Sequence, residues 1–133
     1  KHYRLAEDYE MTAEEESNMY EEFDTTMITD FPEFTSPFWN MSRYEEGNTS
    51  KKIDVILGGM ETIGSAERST NVEQMRDTFH TITDGAYASL LFDLFGKERV
   101  VAELEEFLKF DFFPRVGGGI GMTRMIAALD KND

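Results

Sequence analysis

The sequence contains no cysteine, only 3 prolines, 1 tryptophan and 2 histidines. Without cysteine, a disulfide framework and a thiolate metal site are both excluded. The two histidines, His2 and His80, have no nearby set of partners for zinc binding or for a catalytic triad. No apolar run is long enough to span a bilayer, and the first residues contain no signal-peptide pattern. We therefore expect a cytoplasmic protein that makes no membrane contact.

Positive charge is also scarce, with 13 Lys and Arg against 27 Asp and Glu and a formal net charge of −14. Recognition of a phosphate backbone needs a cationic surface, so we do not expect this segment to bind nucleic acid by itself. The acids near the start are predicted to be solvated, because consecutive acids on a helix point in different directions. These acids are Glu14, Glu15, Glu16, Glu21 and Glu22.

The length and apolar content fit one domain or part of one: 133 residues, 40% of them hydrophobic, with 11 Phe and 8 Met for a core. Thr12 and Glu15 have the spacing of a capping box, which predicts the start of a helix. Apolar periodicity and β-branched runs predict the remaining elements. The predicted helices cover 12–22, 72–82, 86–95 and 98–109, and the predicted strands cover 25–29, 38–44 and 52–57.

The predicted strand 52–57 carries a carboxylate on its less apolar side. Apolar residues alternate with Asp54, so its side chain should point to the face where a ligand could lie. The turn residues of the loop 45–50 predict a hairpin that joins this strand to the strand 38–44. We therefore expect these two strands to be antiparallel neighbours.

A glycine-rich segment, 116–121, leads into an apolar run at 125–129, with Arg124 between them. Four glycines within five positions allow the backbone to approach something closely, and the apolar run predicts a buried helix. Arg124 then lies in the first helical turn, where the helix dipole favours anions. Two interpretations stay open. Arg124 shares an anion such as phosphate with free backbone N–H groups, or it pairs with one of the many carboxylates.

The pattern of Gly117, Gly119, Gly121 and Arg124 resembles motif 3 of the class II aminoacyl-tRNA synthetases. In that motif a Gly-x-Gly-x-Gly strand leads into a helix whose early arginine holds the γ-phosphate of ATP. The resemblance implies ATP as a cofactor, with Gly119, Gly121 and Arg124 as ATP-binding residues and Arg124 as the catalytic cation. It also implies an α+β fold with an antiparallel β-sheet flanked by helices. Thr123 departs from the Glu or Asp that synthetases carry there, and is similar to the small hydroxyl residue of ammonia-dependent asparagine synthetases.

The strand and turn after residue 52 resemble the aspartyl- and asparaginyl-type enzymes of this class. There an Asp and a Glu seven residues later bind the Mg²⁺ that bridges the ATP phosphates, and Asp54 and Glu61 keep that spacing. Glu61 is therefore expected at both the metal and ATP. For two residues seven apart to share one metal, the strand must bend or bulge, and Gly58 and Gly59 could supply that bend.

The same enzymes have a small-residue pair and an arginine after the glutamate, matched here by Gly64, Ser65 and Arg68. In them the arginine grips the side chain of aspartate or asparagine, since a guanidinium makes two parallel hydrogen bonds to a planar group. The resemblance thus implies Ser65 and Arg68 as amino-acid-binding residues. The alternative for Arg68 is a surface salt bridge with Glu67 or Glu73.

Two further segments resemble the family. Residues 28–32 followed by 36–41 are similar to a proline-terminated strand that precedes a Pro-Phe-Tyr-like strand. Trp39 stands in place of the tyrosine, and we expect it to be a core aromatic. Residues 108–115 resemble the run before motif 3, with departures at Asp111, Phe113 and Arg115.

The resemblance covers residues 11–129, but only the later part of a class II catalytic domain. Motif 1, which builds the dimer interface, and motif 2, whose arginine holds the α-phosphate, are not found in the sequence. We therefore expect residues 1–133 to be the C-terminal portion of such a domain, inactive or nearly so alone. tRNA would bind through regions outside this chain, and a homodimer would form through the missing motif 1 or through a complementary chain.

The expected activity is ATP-dependent activation of aspartate or asparagine with Mg²⁺, followed by transfer to tRNA. One alternative is an asparagine synthetase-like enzyme that uses ammonia as the acceptor, for which Thr123 and the acidic composition are clues. A second alternative is a non-catalytic interaction module derived from the fold. Such a module would bind no ATP even with the missing half restored.

Overall fold

The computed structural model describes residues 9, 11–23, 25–45 and 48–131. Within these residues the strands are β1 (Thr25–Pro32), β2 (Thr49–Leu57), β3 (Met60–Arg68) and β4 (Arg115–Ile120). The helices are α1 (Ala13–Glu22), α2 (Val72–Thr81), α3 (Ala86–Phe95), α4 (Lys97–Leu108) and α5 (Met122–Asp130). Short 3-10 turns lie at Glu33–Thr35 and Ile82–Gly85.

The four strands form one antiparallel sheet in the order β1, β2, β3, β4. Together with the helices around it, this sheet confirms the expected α+β fold. β1 runs on through Asp30, where a φ of 62° and a shift of register mark a bulge, and ends at Pro32. Proline ends a strand well because it has no N–H to donate. None of the described helices has the length and apolar character needed to cross a bilayer.

The strand predicted over 38–44 does not form, although an isolated antiparallel bridge joins Arg43 to Ser50 of β2. β1 is the strand that pairs along β2. The guanidinium of Arg43 lies at the centre of the segment and donates to the carbonyls of Pro37 at 3.1 Å and Phe38 at 3.2 Å. Carbonyls that converge on one side chain cannot point alternately along a ladder. The segment therefore folds around Arg43. Part of the predicted loop 45–50 already belongs to β2, while Glu46 and Gly47 lie outside the described residues.

Helices α2, α3 and α4 pack around Trp39, which is 9% exposed. Its ring meets Phe79 edge-on at 5.5 Å and Phe107 at 5.7 Å between centroids. Such edge-to-face contacts add to the gain from burial. The expectation that Trp39 is a core aromatic is confirmed, and so are the three predicted helices. The other buried members of this core are Met75, Phe79, Ala88, Val100, Leu104 and Leu108.

α1 begins with the predicted capping box and lies against the hairpin of β2 and β3. The Thr12 hydroxyl accepts from the N–H of Glu15 at 3.3 Å, and the Glu15 carboxylate accepts from the N–H of Thr12 at 2.8 Å. A Cβ at Gly59, in the hairpin turn, would lie 3.3 Å from the carbonyl oxygen of Ser17. The helix therefore rests directly on the turn.

Replacing Thr12 with alanine should loosen α1 without unfolding the sheet. Loss of the cap costs about 1 kcal/mol of helix stability, so the amides of α1 should exchange with deuterium roughly fivefold faster. Hydrogen exchange resolved along the chain measures this. Asn18→Ala, an exposed change inside the same helix, is the matched control and should not accelerate exchange, because alanine favours helix. Equal acceleration in both variants would contradict the capping role.

Candidate active site

The hairpin of β2 and β3 brings the two predicted metal ligands together. Asp54 pairs across the strands with Gly64, while Glu61 pairs with Ile56. The register shifts between these pairs because Thr62 is an extra residue in β3, and this turns Glu61 to the face of Asp54. A Cβ at Gly64 would lie 3.0 Å from Glu61 Oε1 and 3.4 Å from Asp54 Oδ1. The two carboxylates therefore flank the bare backbone of Gly64.

A bulge was expected between these ligands, but its predicted position is wrong. Gly58 and Gly59 form the turn of the hairpin, with φ values of 58° and 80° that suit glycine. The bulge lies at Thr62, three residues beyond the turn. Asp54 and Glu61 thus stand on adjacent antiparallel strands and not on two halves of one bent strand.

Asp54 is buried, with 5% of its surface exposed. Lys52 Nζ lies 2.5 Å from its Oδ2 and 3.8 Å from the centre of the Phe31 ring. Oδ1 is buried and has no hydrogen-bond partner among the described residues. A buried carboxylate oxygen without a partner is costly, and a cation would satisfy it. Mg²⁺ takes one or two carboxylates together with substrate phosphates, so this pair fits the ion.

Glu16 of α1 lies near enough to this pair for their charges to interact, and the prediction that it is solvated is wrong. It is half-buried. Burial and the negative charges of Glu61 and Asp54 raise the pKa of its carboxyl. Lys52 and Arg124 act on that pKa in the opposite direction. These five charged groups therefore share one electrostatic environment.

Glu16 could have been found from helical spacing. It lies three residues before Met19, which is half-buried, and positions three apart on a helix share a face. Glu16 does not complete a cage with Asp54 and Glu61. Among the described residues, no three His, Cys, Asp or Glu side chains stand close enough together to hold a metal ion directly.

Arg124 lies in the first turn of α5, as predicted, and its side chain is exposed. Its Nη1 donates to the backbone carbonyl of Glu61 at 2.7 Å. It forms no ion pair with any described carboxylate. The guanidinium is therefore held in place by a neutral group beside the carboxylate pair, and its charge stays available to an anion.

The two other predicted ATP contacts, Gly119 and Gly121, differ in what they can offer. Gly119 pairs with Gly64, so Asp54, Gly64 and Gly119 form one row across three strands. A Cβ at Gly119 would meet no described atom within 4 Å. The N–H of Gly121 donates to the carbonyl of Thr62 at 2.8 Å. That N–H is not free for a ligand, and a Cβ at Gly121 would only touch the Arg124 side chain, 3.4 Å from its Cδ.

Arg68 ends β3 on the same face as Asp54 and Gly64, because positions two apart on a strand share a face. Its Nη1 donates to Asn40 Oδ1 at 3.3 Å and its Nη2 to the Gly117 carbonyl at 3.2 Å. The alternative of a salt bridge with a neighbouring glutamate is not found among the described residues. Glu67 instead pairs with Lys51 at 3.0 Å.

Ser65 is not brought together with Arg68. It lies one residue from Gly64 on β3 and therefore points to the opposite face of the sheet. Its hydroxyl donates to the carbonyl of Ile53 at 3.3 Å. A Cβ at Gly118, its partner on β4, would come within 2.8 Å of the Ser65 Cβ.

The face that carries Asp54, Gly64, Arg68 and Gly119 is called the site face below. Asp54 points away from the apolar side of β2, as expected, yet the site face is the more buried one: Ser50, Ile56 and Ala66 on it are all buried. The opposite face is open. Its exposed apolar residues are Met27 (61%), Ile53 (39%), Val116 (74%) and Ile120 (54%).

A family model described as tRNA synthetases class II (D, K and N) matches residues 2–133. The chain belongs to this family. A search of curated proteins found no match.

Solved structures of class II synthetases share the fold of this family member. Asparaginyl-tRNA synthetase from Pyrococcus horikoshii superposes with a TM-score of 0.70 at 17% identity, over 98% of this chain and 29% of that one. Aspartyl-tRNA synthetase from Entamoeba histolytica gives 0.64 at 19% identity, over 95% and 25%. Asparaginyl-tRNA synthetase from Entamoeba histolytica in complex with asparaginyl-adenylate gives 0.69 at 16% identity, over 97% and 28%. The chain thus spans less than a third of the length of each of these synthetases.

Proposed function

We propose that this chain is the C-terminal portion of the catalytic domain of an ATP-dependent ligase that activates aspartate or asparagine. The observation that carries the proposal is the convergence of Asp54, Glu61, Arg68 and Arg124 beside one face of the sheet. Two carboxylates fit a divalent cation, and two arginines free of ion pairs with the described residues fit two anionic groups. ATP bound to Mg²⁺, together with a substrate that carries a carboxylate, would supply the cation and both anionic groups.

The roles follow from the positions. Arg124, held at the Glu61 carbonyl, would bind the γ-phosphate and draw pyrophosphate away. Asp54 and Glu61 would hold Mg²⁺, which neutralises phosphate charge when it is bound. Gly119 leaves room for the nucleotide beside that pair. The substrate carboxylate would then attack the α-phosphate, forming the aminoacyl adenylate and releasing pyrophosphate.

Arg68 is the proposed specificity residue, because its fork can hold the planar end group of aspartate or asparagine. Replacing Arg68 with lysine keeps the charge but loses the paired hydrogen bonds, so the KM for the amino acid should rise roughly ten- to hundredfold. Steady-state exchange kinetics measure this, with ATP saturating. Arg76→Lys, at a surface pair with Glu105 on the helices, is the control and should leave KM unchanged. An unchanged KM in Arg68→Lys would remove it from the amino-acid site.

The rest of the catalytic domain should cover the surfaces that this chain leaves open. Among the described residues β4 has a partner on one side only, and α5 exposes Met122, Ile126 and Leu129 by 64%, 54% and 60%. An unpaired strand edge beside apolar side chains favours association with further chain. We propose that motifs 1 and 2 lie there, on the same chain or on a complementary one, and that a homodimer forms through motif 1.

The acceptor in the second step is proposed to be tRNA, bound through regions outside these residues. Ammonia is the second candidate. Thr123, exposed in the first turn of α5, stands where synthetases carry an acid, and the net charge of −14 disfavours a nucleic-acid partner for this segment. An ammonia-dependent enzyme would release asparagine and AMP without any RNA.

ATP–pyrophosphate exchange on the complete natural protein tests the proposal, with aspartate and asparagine assayed separately. Exchange that depends on one of them would support adenylate chemistry and identify the substrate. A second assay, with tRNA or with ammonium as the acceptor, then separates the two candidates. A folded protein that neither exchanges nor binds ATP would contradict the enzyme and leave a non-catalytic interaction module.

A further inference from the structure

Glu16 is a carboxylate that the proposed reaction has not yet used. It projects from α1, whose Ser17 rests on the hairpin turn at Gly59. The side chain is half-buried and makes no hydrogen bond or ion pair with the described residues. Nothing in the fold of these residues explains an acid at this position.

Glu16 and the charged groups around it together hold more negative than positive charge. Asp54 and Glu61 add two carboxylates, and Lys52 and Arg124 add two cations. Lys52 is committed to Asp54 Oδ2 at 2.5 Å, and Arg124 is anchored at a backbone carbonyl. Partly buried carboxylates that repel one another are costly unless a cation lies between them. Asp54 Oδ1 is buried and has no hydrogen-bond partner among the described residues, so it is an oxygen that such a cation could bind.

We propose that Glu16 positions the divalent cation of the Asp54 and Glu61 pair by accepting hydrogen bonds from the water molecules on that ion. This rests on the metal site of the proposed function. Glu16 stands too far from the pair for direct three-carboxylate coordination, but Mg²⁺ keeps several of its waters, and carboxylates beyond the ligands commonly orient them. The cation would thereby tie α1 to the sheet, closing the helix over the site face.

The affinity for Mn²⁺, added alone to the complete protein and followed by the electron spin resonance of the free ion, tests this role. Glu16→Gln should weaken Mn²⁺ binding about tenfold. Glu14→Gln, which removes the same charge from an exposed position of the same helix, should change it less than twofold. Asp54→Asn should abolish binding. Glu16→Asp keeps the charge on a shorter side chain, so its affinity for Mn²⁺ should lie between those of wild type and Glu16→Gln.

Hydrogen exchange supplies a readout that does not depend on activity. Mn²⁺ should slow exchange of the α1 amides in wild type and in Glu14→Gln, but not in Glu16→Gln, because only the first two retain the contact from helix to ion. Circular dichroism confirms that each variant is folded.

The outcomes separate the two proposals. If Glu16→Gln binds Mn²⁺ like wild type while Asp54→Asn does not bind it, the role of Glu16 is overturned and the metal pair stands. If Glu14→Gln weakens binding as much as Glu16→Gln, general charge accounts for the effect and the role is also overturned. If wild type binds no Mn²⁺, or Asp54→Asn binds it unchanged, the metal pair fails and Glu16 with it.

Discussion

Replacing Arg124 with alanine should lower the rate of ATP–pyrophosphate exchange by about 10²- to 10³-fold, the usual cost of removing one preorganised group that stabilises transition-state charge. The Glu61 carbonyl, 2.7 Å from Nη1, already holds the guanidinium in place. The guanidinium forms no ion pair with a described carboxylate. The charge is therefore ready for a phosphate before the substrate arrives. Initial-rate exchange on the complete protein, with saturating amino acid, measures the loss.

Two further variants show whether the loss comes from the site. Arg124→Lys keeps the charge but not the planar fork, so its defect should be smaller than that of alanine. Arg99→Ala removes an equally exposed arginine of α4, paired only with Glu103 one turn away at 2.8 Å, and should retain full exchange. A normal rate in Arg124→Ala would refute the assignment of Arg124 to ATP.

Replacing Gly118 with alanine should destabilise the sheet more than any other single methyl group added in β4. The new Cβ would lie 2.8 Å from both the Gly64 carbonyl oxygen and the Ser65 Cβ. Contacts this short force β3 and β4 apart. We expect a loss of about 2 kcal/mol in the free energy of unfolding, which lowers Tm by about 8 °C. Thermal unfolding followed by circular dichroism measures it.

The neighbouring position is the matched control. A Cβ at Gly119 would meet no described atom within 4 Å, so Gly119→Ala should unfold within about 2 °C of wild type. The same variant should weaken ATP binding, because its methyl group would project onto the site face. A large drop in Tm for Gly119→Ala, or none for Gly118→Ala, would contradict the register of β3 and β4.

Local patterns sufficed for most of the helices and for the motif at the end of the chain. The capping box of Thr12 and Glu15, the apolar periodicity of α4 and the place of Arg124 in the first turn of α5 each depend on residues within a few positions of one another. Capping and apolar periodicity depend on neighbouring residues in the sequence, so they predict a helix whichever part of the protein it packs against. The likeness to class II synthetases rested on the same kind of local pattern.

Predictions that needed pairing between distant residues were less secure. The segment 38–44 was predicted to be the strand beside β2, but β1 pairs along β2 and the segment keeps one isolated bridge to it at Arg43. The guanidinium of Arg43 binds the carbonyls of Pro37 and Phe38. The bulge was expected at the two glycines of the turn and lies at Thr62. A bulge is a mismatch between two strands, so its position is undefined until both strands are paired.

The sequence by itself determined which chemical groups are present: the spacing of Asp54 and Glu61, the arginine after a glycine-rich strand, and the absence of cysteine. Only the tertiary structure decided which of them meet. The register shift at Thr62 turns Glu61 toward Asp54, strand alternation removes Ser65 from the site face, and the seating of α1 on Gly59 brings in Glu16. The physical reason is that the sequence sets the charge and length of each side chain. Which face of the sheet a side chain lies on, and how far it is from another, is decided only when the strands pair and a helix packs on them.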